Sequence, residues 1–144
     1  MSHLNRYASE TAQSFEIHSC TDITGFGLAG HLLNVATNSQ VSIEVGVGSV
    51  PLIMGAYELC ASGIAPGGLH RNKDFYLCDT EIEKGVDEIM VDLMFDPQTS
   101  GGLALFVEPS SAEQLLRKLK SQGESAAIIG AVFPKSDRGL ILRK

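Results

Sequence analysis

The sequence feature that most constrains the fold is a strict alternation of apolar and polar residues at positions 41–47. Valine or isoleucine occupies every odd position, and serine, glutamate and glycine fill the even positions between them. Because successive side chains of a strand point to opposite faces, this pattern predicts a strand that is buried on one face. Other parts of the chain must cover that face, so the fold has to combine a sheet with packed helices or a second sheet.

Three further segments have the composition of strands. The apolar run at residues 103–107 is uninterrupted, which is typical of a strand covered on both faces and central to its sheet. Residues 126–133 and 139–142 predict two more strands, joined by a turn around Ser136 and Asp137. The chain therefore supplies enough strands for one sheet.

Helices are predicted where apolar residues recur at helical spacing, at residues 4–12, 25–38, 51–63, 86–95 and 111–123. Thr24 is the predicted N-cap of the second helix, and Ser111 with Gln114 forms a capping-box pattern at the last one. Proline at position 51 opens the third helix.

Two segments between these elements are predicted as loops. They are residues 16–24 and residues 67–80, the latter with a short extended piece at 75–77. Together the predicted elements give an α+β domain with helices packed on a mixed β-sheet, spanning residues 1–144 as one unit.

Composition excludes several classes of protein. The net charge is −6 and lysine and arginine form no long run, so we expect no nucleic-acid partner. No apolar stretch approaches the roughly 20 residues that span a bilayer, so we expect no membrane segment. The three cysteines are odd in number and lack a Cys-x-x-Cys spacing, which favours reduced thiols and a cytoplasmic location.

The first candidate functional motif is TDITGFG at residues 21–27, a polar segment leading into a predicted helix. On one interpretation Asp22 and Thr24 cap the helix, while Gly25 and Gly27 allow close packing. On the other, a carboxylate and free backbone N–H groups bind a metal–phosphate pair. Mg²⁺ is typically held by one or two carboxylates plus phosphates and waters, so Asp22 is a candidate single metal ligand in a site completed elsewhere.

The second motif is PGGLHRN at residues 66–72. Two glycines followed by a His-Arg-Asn triplet are compatible with an anion-binding concavity, in which Arg71 binds phosphate oxygens and Asn72 lies nearby. The alternative is a surface turn with a solvated arginine.

The third motif is DPQTSGG at residues 96–102, which runs directly into an apolar strand. It is not a Walker-type phosphate loop, because the lysine is missing and its glycines precede a strand instead of a helix. Thr99 and Ser100 either contact substrate or satisfy backbone groups of a turn. Cys20 has no base or cation next to it in the sequence that would lower its pKa, so we do not predict it to be a nucleophile.

Taken together and in this order, the three motifs resemble the C-terminal domain of the selenide, water dikinase (selenophosphate synthetase) family. That family belongs to the superfamily of aminoimidazole ribonucleotide synthetase. The resemblance covers the chain from about Leu4 to its end. Position 69, where the family usually has a small polar residue, is leucine here.

The resemblance implies that selenide, ATP and water are converted to selenophosphate, AMP and phosphate for selenocysteine and selenouridine synthesis. It implies a mixed sheet flanked by helices, partly ferredoxin-like in topology. It also implies that Asp22 joins aspartates of an N-terminal domain around Mg²⁺ at the ATP phosphates. The residues implied near phosphate or substrate are Thr24, Gly25, Gly27, Arg71, Asn72, Thr99 and Ser100.

The reactive cysteine or selenocysteine and its companion lysine lie near the N-terminus in that family, and this chain has no counterpart of that segment. We therefore expect the C-terminal part of a longer enzyme, paired with its own N-terminal domain and homodimeric, and inactive alone. One alternative is a stand-alone binding module without catalysis. Another is a domain of a different ATP-dependent synthetase or kinase of the superfamily, although the third motif favours the selenophosphate family.

Overall fold

The structure is a computed structural model that describes residues 4–144. Within these residues the helices are Arg6–Ala12 (α1), Gly27–Ser39 (α2), Ala56–Ala61 (α3), Gly67–Tyr76 (α4), Glu88–Met94 (α5) and Pro109–Ser121 (α6). The strands are Ile17–Asp22 (β1), Val41–Gly46 (β2), Thr80–Ile82 (β3), Leu103–Val107 (β4), Gly130–Pro134 (β5) and Leu140–Arg143 (β6).

The alternating segment forms β2, an inner strand of a four-stranded sheet with the order β3-β6-β2-β5. β2 pairs antiparallel with β5 and parallel with β6, and β6 pairs parallel with β3. Ile43 and Val45 point into the core, 3% and 1% exposed. The predicted α+β class and mixed sheet are confirmed.

A second, two-stranded sheet joins β1 and β4 in antiparallel pairing, with Cys20 opposite Leu105 and Asp22 opposite Leu103. The prediction of a loop over residues 16–24 is therefore wrong for residues 17–22, which form β1. The prediction that residues 103–107 are central and covered on both faces is also wrong. Among the described residues β4 pairs only with β1, and all five of its side chains are half-buried.

The core lies where α2, α4 and α5 pack on one face of the four-stranded sheet. The most deeply buried apolar side chains are Ala29, Ala36, Val45, Leu69, Met94, Phe95, Leu140 and Leu142. These residues come from five segments of the chain, so burying them fixes the helices on the sheet that carries β2.

The segment 67–80 differs most from the structure that its sequence predicts. The prediction of a loop with an extended piece at 75–77 is wrong, because residues 67–76 form the helix α4 and residues 77–79 form a short 3₁₀ turn. Pro66 enters α4 with φ −70° and ψ 146°, and Leu69 is 1% exposed. The two glycines that suggested a loop are the first two helical residues, where Gly68 permits close contact with Pro97.

Several helix boundaries also differ from the prediction. α3 begins at Ala56, five residues after the predicted opening, although it does end before Gly63, whose φ is +79°. α6 begins at Pro109 with no side-chain cap, so the capping-box prediction is wrong, and proline at the first turn takes its place. In the part of the chain that the structure describes, every helix is too short or too polar to cross a membrane.

Candidate functional site

Three segments that are distant in sequence meet where β1 leads into α2. We call residues 21–27 the elbow. Three backbone hydrogen bonds tie residues 96–102 to it, since Ile23 donates to Gly102 at 2.9 Å, Gly101 donates to Ile23 at 3.0 Å, and Gln98 donates to Thr24 at 3.0 Å. The first and third motifs therefore lie side by side.

Asn72 connects the second motif to the other two. Its Nδ2 donates to the carbonyl oxygen of Gly25 at 2.9 Å and to that of Phe95 at 3.0 Å. The first bond holds the elbow, and the second holds the residue that immediately precedes the third motif. Because both amide hydrogens are used, Asn72 braces the backbone around the site, and only its Oδ1 is left for a ligand.

Glycines allow these segments to approach closely. A Cβ on Gly27 would lie 2.7 Å from the carbonyl carbon of Phe95, and a Cβ on Gly68 would lie 2.8 Å from Cγ of Pro97. Gly25 has nothing within 4 Å of that position. In the elbow, then, Gly27 is required for packing and Gly25 is open.

Asp22 ends β1 with an exposed side chain. Among residues 4–144 its carboxylate accepts no hydrogen bond and forms no ion pair, although the residues around it in the elbow are anchored. A free carboxylate on a fixed backbone is a suitable oxygen ligand for a hard cation such as Mg²⁺. No group of three His, Cys, Asp or Glu side chains able to hold a metal occurs in the described residues, so Asp22 would supply one ligand and not a complete cage.

Thr24 does not cap α2 with its side chain, contrary to the prediction. Its N–H donates to Nε2 of His31 at 3.0 Å, and its hydroxyl lies 3.1 Å from the same nitrogen. Its carbonyl accepts from Gly27, which closes the turn into the helix. The sequence alone does not indicate His31, because the first motif ends at Gly27 and a histidine four residues later on a helix has no distinguishing pattern.

The remaining predicted residues lie at the surface of the same region. Arg71, Thr99 and Ser100 are exposed. Nη1 of Arg71 lies 3.5 Å from the position a Cβ would take on Gly67, so the guanidinium follows its own helix. The structure thus brings Thr24, Gly25, Gly27 and Asn72 into direct contact, whereas Arg71 and the two hydroxyls stand apart from that network.

Behind the third motif lies a small cavity of about 190 Å³ between α3, α4 and α5. It is lined by apolar side chains together with Cys60 and Asp96. Burial raises the pKa of Asp96, and the hydrogen bond from Nε2 of Gln98, 2.6 Å long, acts against that shift. Asp96 directly precedes Pro97, which packs against Gly68 of α4, so Asp96 lies next to this contact between the third motif and α4.

Comparison with known proteins places this site in a family. Residues 3–143 match the family described as AIR synthase related protein, C-terminal domain. The chain belongs to this family. The match confirms the relationship that the three motifs implied, and it covers nearly the whole length of the chain.

Curated relatives of this AIR synthase related domain carry a common name. The chain is 43% identical over 139 residues to "Selenide, water dikinase" of Clostridioides difficile, covering 96% of this chain and 40% of the relative. It is 44% identical over 144 residues to the protein of that name from Caldanaerobacter subterraneus subsp. tengcongensis, covering 99% of this chain and 42% of the relative. The chain therefore spans about two-fifths of the length of these relatives.

The cysteines of the AIR synthase related domain are all free thiols, as predicted. Cys60 is buried, whereas Cys20 and Cys78 are exposed. Partial burial and the nearby charge of Asp22 raise the pKa of the Cys20 thiol. A raised pKa lowers the thiolate fraction at neutral pH, so Cys20 is poorly suited to act as a nucleophile.

Proposed function

We propose that this chain is the C-terminal part of a selenide, water dikinase, which converts selenide, ATP and water to selenophosphate, AMP and phosphate. The observation that carries the proposal is the convergence of the three motifs through Asn72, which bonds to Gly25 and to Phe95. The names of the curated relatives support it. ATP and selenide are the proposed substrates, and the N-terminal part of the longer protein is the proposed partner.

Within this function we propose that Asp22 is a ligand of Mg²⁺ at the ATP phosphates. The fit is chemical, since a carboxylate that has no hydrogen-bond or ion-pair partner among residues 4–144 ends a strand at an elbow held by backbone hydrogen bonds. When bound, Mg²⁺ would neutralise charge that develops on the phosphoryl oxygens. The elbow would hold the Asp22 backbone in place, and Asn72 would keep the neighbouring segments in register around it.

Other residues of the site have supporting roles in this proposal. Backbone groups of Thr24, Gly25 and Gly27 shape the elbow, and the exposed Arg71, Thr99 and Ser100 are within the phosphate-proximal surface that the family resemblance implies. The nucleophile and the other metal carboxylates would come from the N-terminal part. Homodimer formation and a cytoplasmic location remain predictions from the family resemblance and the composition.

The function can be tested by product analysis. A longer protein that joins this chain to the N-terminal part encoded with it is incubated with ATP, Mg²⁺ and selenide, and the products are followed by ³¹P NMR. Selenide-dependent formation of selenophosphate, AMP and phosphate is the expected result, and the 144-residue chain alone should form none. ATP turnover that is indifferent to selenide would show that the protein has another activity, and products from the chain alone would contradict the division of roles.

A further inference from the structure

The His31 side chain hydrogen-bonds to two residues of the elbow, Thr21 and Thr24. It lies in the second turn of α2 and is 9% exposed. Nε2 accepts a hydrogen bond from the N–H of Thr24 at 3.0 Å, and Nδ1 lies 3.3 Å from Oγ1 of Thr21. Both ring nitrogens are therefore used by residues that flank Asp22 in the sequence.

The hydrogen bond from the N–H of Thr24 determines which ring nitrogen of His31 carries the hydrogen. A backbone N–H can only donate, so Nε2 of His31 must carry the lone pair that accepts from Thr24. In a neutral imidazole the other nitrogen then carries the hydrogen, and Nδ1–H donates to the hydroxyl oxygen of Thr21. A doubly protonated ring would have no acceptor for Thr24, so the bridge requires the neutral tautomer with hydrogen on Nδ1.

Asp22 lies between these anchored residues. Ile23, the next residue, is held on both its backbone groups by Gly101 and Gly102. The Asp22 carboxylate itself has no partner among residues 4–144. Within residues 4–144 the backbone on either side therefore sets its position, and His31 is the one side chain there that hydrogen-bonds to both Thr21 and Thr24.

We propose that His31 is a positioning residue for Asp22, and that its neutral ring holds the elbow in the conformation that presents this carboxylate to a metal. The proposal rests on the proposed function for the identity of the ligand, a metal–nucleotide pair. Residues that orient metal ligands through hydrogen bonds typically change metal affinity by tenfold to a hundredfold when they are removed. His31 would act on Asp22 indirectly, since its hydrogen bonds to Thr21 and Thr24 hold the backbone on either side of Asp22.

Three substitutions separate the two hydrogen bonds. In His31→Gln the side-chain oxygen can reach the place of Nε2 and accept from Thr24. In His31→Asn the shorter amide can replace only Nδ1, next to Thr21. His31→Leu removes both bonds at similar volume. The matched control is Ser42→Ala, which removes a buried hydroxyl that bonds to Ser136 and Arg138 in the other sheet.

The first measurement is amide hydrogen exchange in the 144-residue chain. Relative to the amide of Val91, which donates to Asp87 at 3.0 Å in α5, the Thr24 amide should exchange about fivefold faster or more in His31→Asn and His31→Leu. His31→Gln and Ser42→Ala should leave that ratio within about twofold of the parent chain. If all three His31 variants leave Thr24 exchange unchanged, the bridge does not hold the elbow and the proposal is overturned.

The second measurement is the affinity of the longer protein for Mn²⁺, followed by electron paramagnetic resonance in the presence of a non-hydrolysable ATP analogue. His31→Leu and His31→Asn should raise the Kd for Mn²⁺ by on the order of tenfold or more, and His31→Gln should restore most of the affinity. If His31→Leu does not fold, the comparison of the glutamine and asparagine variants decides.

The outcomes distinguish the proposal from the function on which it rests. Faster Thr24 exchange with an unchanged Kd would mean that His31 is only structural. A parent protein that binds Mn²⁺ with the nucleotide but makes no selenophosphate would contradict the proposed function. The role of His31 would still be tested in that case, by comparing the Kd for Mn²⁺ of the three His31 variants with that of the parent protein. A parent protein that binds no Mn²⁺ with the nucleotide would overturn both.

Discussion

Gly27 packs its Cα against the backbone of Phe95, where a Cβ would lie 2.7 Å from the carbonyl carbon, and its φ is +70°. Gly27→Ala should therefore destabilise the domain through both a steric overlap and an unfavourable backbone conformation, by about 3 kcal/mol in urea-induced unfolding. Gly25→Ala, two residues away in open space, should change the free energy of unfolding by no more than about 0.5 kcal/mol. Equal losses at both positions would contradict the packing described for the elbow.

Asn72→Asp tests the brace between the motifs. The substitution keeps the size of the side chain but replaces two donated hydrogen bonds with a carboxylate facing two carbonyl oxygens. The free energy of unfolding at neutral pH should fall by about 2 kcal/mol or more. Asn34→Asp, on the exposed face of α2, serves as the control and should cost no more than about 0.5 kcal/mol. A similar small effect for Asn72→Asp would mean that the two bonds do not hold the site together.

Periodicity in the sequence predicted the elements that bury a clear apolar stripe. The alternation at 41–47 became β2, and the helical spacing at 25–38 and 111–123 became most of α2 and α6. Each of these elements buries one face against a neighbouring layer, and the spacing of apolar residues in the local sequence shows which face that is.

The elements that were missed depend on contacts the local sequence does not encode. β1 is a polar stretch that becomes a strand because it pairs with the apolar β4. α4 begins with two glycines, which are weak helix formers, but it is held by the burial of Leu69 and by the bonds of Asn72 to two distant segments. Tertiary contacts decide the structure at both places.

The sequence predicts the three motifs of the candidate site separately, but it does not predict that they contact one another in the fold. The sequence identifies Asp22 as a single carboxylate ahead of a helix, and the structure places it there with no hydrogen-bond or ion-pair partner in the described part of the chain. It could not identify His31, because the bonds from that ring to Thr21 and Thr24 depend on the turn between β1 and α2. Such a turn carries no periodic pattern.

Asp96 and Asp87 should give pH dependences of opposite sign. Burial raises the pKa of Asp96, so its carboxylate costs stability as the pH rises from about 4 through the raised value. Asp96→Asn should therefore gain stability relative to the parent chain as the pH rises from about 4 to 7. Hydrogen bonds from Tyr57 and from the N–H of Ile89 lower the pKa of Asp87.

The lowered pKa of Asp87 means that its contribution to stability is present above about pH 4 and is lost as the pH falls through the lower folded value. Asp87→Asn should accordingly lose stability relative to the parent chain at neutral pH and lose less at acid pH. Urea unfolding at several pH values measures both differences. Parallel pH profiles for the two variants would show that the environments of these carboxylates are not as described.

The central claim is that Asp22 binds the metal of an ATP-dependent reaction, and the most direct measurement is the selenide-dependent turnover of Asp22→Asn in the longer protein at limiting and at excess Mg²⁺. Because the side chain has no partner among residues 4–144, the free energy of unfolding should change by no more than about 0.5 kcal/mol. Turnover should fall by on the order of 100-fold or more, with partial recovery at excess Mg²⁺. Near-normal turnover of Asp22→Asn at limiting Mg²⁺ would contradict the assignment of Asp22 as a metal ligand.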